Sequence, residues 1–149
     1  MLDLSRYERL RTDLDALRRL REQSTIFDFQ VIDESDGPPE KYLLASRGKG
    51  ATRKDAKSPS VISEFHQVEI TLGPDYPTLE PSIQWKTPLF HPNVTDKGEV
   101  FFGGWGQDWV PGLGLDALCE RLWDMIRYAT FDTTRPLNFA AADWTRTQG

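Results

Sequence analysis

One cysteine, Cys119, in 149 residues leaves no partner for an internal disulfide. Histidine is almost as scarce: His66 and His91 are the only two, and together with Cys119 they make no ligand set of zinc spacing. No structural metal and no cofactor is therefore expected. No apolar run approaches the roughly 20 residues of a membrane-crossing helix, so membrane insertion is not expected. Met1 to Leu20 carries charges throughout and lacks the basic, apolar and small-residue order of a secretory signal, which predicts a cytoplasmic protein. An excess of positive charge is missing too. The formal charge of -5 offers no general attraction to nucleic acid or to anionic membranes. Internal repeats and linker-like stretches are absent, and the length predicts one domain over residues 1–149.

What the chain does have is amphipathic patterning. Tyr7, Leu10, Leu14, Leu17 and Arg21 recur at helical spacing among Arg, Asp and Glu, which predicts a helix over Leu4–Glu22 whose leucines dock on a sheet. Phe27, Phe29 and Val31 alternate with Asp28 and Gln30, the period of a half-buried strand. Asp36-Gly37-Pro38-Pro39 turns the chain. Further strands are predicted at Tyr42–Ser46, at His66–Leu72 and around Ile83 and Trp85. The basic stretch Arg47–Lys57 between the second and third reads as a solvated loop. Four such strands, joined by turns and each with a polar face, predict an antiparallel meander covered by a helix: an α+β fold. From Thr87 to Gly114 periodicity vanishes. So long an irregular stretch in a compact domain is functional or packed by its own side chains, and Phe90, Phe101, Phe102, Trp105 and Trp109 suit that packing. A second helix follows, with Leu115, Leu118, Cys119, Leu122, Met125 and Ile126 on one face and Asp116 favouring its first turn. Phe139–Trp144 adds a short last helix.

Tyr76-Pro77, Pro81, His91-Pro92-Asn93, Gly98, Trp109-Val110-Pro111 and Pro136-Leu137-Asn138 follow one another in an order and spacing that resembles the ubiquitin-conjugating enzymes (the E2, or UBC-like, family). Arg47-Gly48-Lys49-Gly50, Trp85 to Asn93 and Gly103-Gly104-Trp105 look most like the E2-like proteins of bacterial ubiquitin-like systems. The resemblance implies the UBC-like fold: an N-terminal helix, a four-stranded meander, an irregular active-site-like stretch and a second helix. The C-terminal part is expected to be shortened.

The resemblance also implies a site. Its Asn, here Asn93, supports the oxyanion formed when a lysine attacks the thioester, and its His, here His91, braces the loop. Its Gly-x-x-Cys pattern falls on Gly98-Glu99-Val100-Phe101, so phenylalanine stands where the acceptor thiol belongs. Holding an acyl group in transit requires a thiolate, and a phenyl ring is no nucleophile. Between His91 and Pro111 there is neither Cys nor Ser, and Thr95 carries the only aliphatic hydroxyl. Asn93 and His91 are then expected to be structural. Cys119, the one thiol that could substitute, sits on the apolar face of the second helix, where a thiol packs as a small hydrophobe and is inert.

These residues predict a non-catalytic E2 variant that binds a ubiquitin-like protein or an E1-like or E2-like conjugation partner. Candidate contacts are Phe101, Phe102, Trp105, Trp109 and Pro111, with Leu79 beside the Thr78 that replaces the family's ligase-contacting aromatic. Arg6, Arg9 and Arg18 lie on the helix where family members meet the activating enzyme. Two alternatives stay open: an active conjugating enzyme using Cys119, and an RWD-like structural scaffold.

Overall fold

The computed structural model describes residues 4–33, 37–53, 57–101, 108–129, 131–134 and 136–148. Helix α1 spans Leu4–Gln23. Strands β1 (Phe27–Val31), β2 (Lys41–Thr52), β3 (Val61–Thr71), β4 (Ser82–Trp85) and β5 (Glu99–Val100) form one antiparallel sheet in chain order. Helices α2 (Leu115–Ile126) and α3 (Phe139–Gln148) follow.

Strand periodicity explains the layering. Tyr42, Ile70, Ile83 and Val100 stand opposite one another across β2 to β5, and Leu44, Val68 and Trp85 form the next row. All are buried in one cluster with Leu10 and Leu17 of α1 and the apolar face of α2. Each of these side chains contributes about 1.5–3 kcal/mol by leaving water. The alternate residues make the opposite face, where Glu69 bridges Lys41 (2.9 Å) and Lys86 (3.1 Å).

Four expectations need correction. The buried stripe of α1 is rotated from the expected one: Leu10, Asp13, Ala16 and Leu17 are buried, whereas Tyr7 and Arg21 are exposed. Asp13 tolerates burial because it is hydrogen-bonded, which hydrophobic spacing does not reveal. Strands β2 and β3 are longer than the alternation indicated, so Arg47–Thr52 is strand rather than loop. A bulge places Arg47 opposite Phe65 but Gly50 opposite Ser63, and that extra residue breaks the sequence periodicity. Gly50 is required there, since a Cβ would lie 2.8 Å from His66 Cε1 and 3.2 Å from the Ile126 carbonyl oxygen. Finally, β5 is a fifth strand and α3 extends past Trp144. Two residues are too short a strand to show a period.

Candidate functional site

The site is built by the chain between β4 and α2. Phe90 N–H donates to the Ala51 carbonyl (2.7 Å), anchoring the segment to the end of β2. His91 is fully buried, and its ring stacks on Tyr128 with centroids 5.3 Å apart at 16°. His91 Nδ1 accepts the Asn93 N–H at 3.0 Å. The Asn93 amide faces Asp132: its Nδ2 donates to the Asp132 carbonyl and its Oδ1 accepts the Asp132 N–H, both at 2.8 Å. The Pro92 carbonyl accepts the N–H groups of Leu137 (2.7 Å) and Asn138 (3.1 Å). His91, Pro92 and Asn93 thus join this turn to the segment before α3. Asn93 acts as a backbone clamp whose amide oxygen and nitrogen are both engaged.

A tight turn then reverses the chain. Gly98 N–H donates to the Thr95 carbonyl, and the Thr95 hydroxyl accepts Glu99 N–H. Gly98 has φ +88°, and its carbonyl accepts the Trp85 N–H at 2.7 Å. Emerging from this turn, β5 turns Val100 into the core beside Ile83 and the next residue, Phe101, outward. Phe101 is 49 % exposed.

Phe101 lines an open groove of about 670 Å³ together with Thr78, Leu79, Pro81 and Trp109, and Glu69, Glu80 and Glu99 also border it. Leu79 is 59 % exposed. Trp109 is fixed from behind: its indole N–H donates to the Pro77 carbonyl at 2.9 Å, and its ring lies 5.8 Å from that of Tyr76. Leu79, Phe101 and Trp109, all singled out in the sequence, therefore share one surface. Pro111 is exposed and its carbonyl is turned to Arg9. Phe102 and Trp105 lie outside the described residues.

Cys119 is elsewhere. It is 6 % exposed among Leu115, Leu118 and Leu122, and burial pushes its thiol well above the ordinary range. Arg6 and Arg9 also differ from the expected free basic face, since each side chain is only 16 % exposed. Arg6 donates to the carbonyls of Tyr76 (2.6 Å) and Leu72 (3.3 Å). The rotated stripe of α1 turns this part of the helix toward the loops, whose carbonyls need donors. Only Arg18 faces solvent as expected, 3.7 Å from Asp15.

Sequence reasoning missed Asp13, Tyr128 and Asp132. Asp13 follows Arg9 by four residues, the spacing of a helical ion pair, and that was its only signal. Among the described residues no group of His, Cys, Asp and Glu is arranged to hold a metal ion.

The antiparallel sheet, its helical cover and the His91-Pro92-Asn93 turn define a conjugating-enzyme fold. The chain belongs to the ubiquitin-conjugating enzyme family, whose model matches residues 61–148. Ubiquitin-conjugating enzyme E2 S of Drosophila grimshawi is 37% identical over 104 residues, which is 70% of this chain and 40% of that protein. Its counterpart in Drosophila willistoni is 30% identical over the same length and coverage. The chain thus spans about 40% of the length of these relatives. Among solved structures, S. cerevisiae Ubc12 superposes with a TM-score of 0.66 at 24% identity, covering 95% of this chain and 70% of that one. Human ubiquitin-conjugating enzyme E2 G1 gives 0.58 at 19%, covering 78% and 92%. Both likenesses concern the fold.

Proposed function

We propose that this protein is a non-catalytic member of its family, which binds a ubiquitin-like modifier or a conjugation-pathway partner without accepting the modifier covalently. The observation that carries the reading is Phe101, half-exposed at the end of β5. It occupies the place where the family's acceptor thiol is expected, after the His91-Pro92-Asn93 turn and Gly98. A phenyl ring has no lone pair with which to attack a thioester. The sole thiol, Cys119, is in the core, and burial disfavours its thiolate. Leu79, Phe101 and Trp109 make the contact surface, since partly exposed aromatic and aliphatic side chains around a groove can supply much of the energy of an interface. The resemblance to E2-like proteins of bacterial ubiquitin-like systems belongs to this proposal and rests on the sequence motifs. The relatives named above are eukaryotic.

The test mixes the wild-type chain with an activating enzyme, a charged ubiquitin-like protein and ATP, and runs the products on a non-reducing gel. No thiol-sensitive adduct should form, and Cys119 should react with a thiol reagent only as fast as the protein unfolds. An adduct that disappears with reductant and with Cys119→Ser would overturn the proposal in favour of an active enzyme.

A further inference from the structure

We infer that Arg9 and Asp13 are positioning residues for the loop Trp109–Leu113, and that through this loop they preform the groove beside Phe101. The Asp13 carboxylate is 1 % exposed and accepts three hydrogen bonds: from Arg9 Nε at 3.0 Å, from the Tyr76 hydroxyl, and from Leu115 N–H at 3.3 Å. The last of these substitutes for a side-chain cap on α2, because the residue in the N-cap position is Gly114. Arg9 extends the network outward. Its guanidinium donates to the Tyr76 hydroxyl (2.9 Å) and to the carbonyls of Pro111 and Leu113, and lies over the Tyr76 ring.

One ion pair therefore ties together α1, Tyr76, the loop and the start of α2. A buried ion pair is in general weak evidence for stability, because desolvation offsets its attraction. What this pair supplies is placement. The planar guanidinium has five donors in a fixed fork and here serves four acceptors, the Asp13 carboxylate, the Tyr76 hydroxyl and two loop carbonyls, one more than the three donors of an ammonium can reach. The loop has few ladder bonds of its own: among its described residues, Leu113 N–H donates to the Val110 carbonyl. Neither Arg9 nor Asp13 lines the groove, yet Trp109 does. A loop held in advance spares a partner the cost of ordering it. The inference rests on the groove's role in binding only for that consequence.

Hydrogen exchange on the full chain tests it without a partner, so its outcome is separate from that of the binding proposal. In Arg9→Ala, the hydrogen-bonded Leu113 amide of the loop should exchange at least about tenfold faster, and the Trp109 indole N–H resonance should shift, while Leu44 and Val68 in the sheet stay protected. Arg9→Lys keeps a cation beside Asp13 but loses the fork, so it should loosen the loop and leave Leu115 protected. That milder variant decides the matter alone if Arg9→Ala fails to fold. Exchange raised equally throughout, or a loop and indole signal unchanged in Arg9→Lys, would overturn the inference.

Discussion

Gly98 shows how a single residue places the candidate site. Its φ of +88° is in the region that disfavours side chains, and a Cβ there would meet the Trp85 carbonyl oxygen at 2.2 Å. That carbonyl cannot simply withdraw, because the Trp85 N–H is bonded to the Gly98 carbonyl. Gly98→Ala should therefore cost roughly 2–4 kcal/mol. A shift in the urea midpoint corresponding to less than about 0.5 kcal/mol would show that the turn adapts freely. At this scale the sequence was informative wherever chemistry alone decides. Phe101 lacks a nucleophile in any fold, and the spacing of Cys119 with Leu115, Leu118 and Leu122 placed it on a buried face. Asp13 was illegible, because its burial depends on donors from Tyr76 and Leu115, 63 and 102 residues away.

Among the elements, the hairpin of β2 and β3 depends on one histidine. His66 is buried and its Nε2–H donates across the bulge to the carbonyls of Gly48 (2.9 Å) and Ser63 (3.1 Å). Its Nδ1 is buried with no hydrogen-bond partner among the described residues, and burial lowers the pKa from its ordinary 6.5. Between 6.5 and that lower value the unfolded chain binds a proton that the native site refuses. Stability contributed by neutral His66 is thus complete above the unfolded pKa and is lost as the pH falls, by at most about 1.4 kcal/mol per pH unit. Urea midpoints from about pH 7.5 to about pH 5.5 should fall in the wild type and fall less in His66→Gln. Equal slopes would contradict the assignment. The end of α2 depends on another ring. Tyr128 adopts φ 58°, a position usually left to glycine after a helix, while its ring stacks on His91 and its hydroxyl donates to the Phe90 carbonyl. Neither role was visible in the pattern, since a bulge and a helix cap are backbone events to which hydrophobic spacing is blind.

At the scale of the whole molecule, α1, the sheet and α2 contribute to one cluster, whereas Ala141 of α3 packs with Ala51 and Phe90 in a smaller one joined by Tyr128 and Trp144. Asn93 and Pro92 bind the segment before α3 to the body. Unfolding in urea should accordingly be a single transition, with tryptophan fluorescence and far-ultraviolet circular dichroism sharing one midpoint. An earlier transition confined to one probe would show that the α3 cluster unfolds by itself. Four strands, the two main helices and the buried face that carries Cys119 were determined by the sequence itself, because periodicity and side-chain chemistry are local properties of the chain. The tertiary structure alone decided the rest: the inward turn of Arg6 and Arg9, the capture of the Asn93 amide by Asp132, and the meeting of Leu79, Phe101 and Trp109 in one groove. Each of these joins groups far apart in the chain, and no local pattern records which distant donor will meet which buried acceptor.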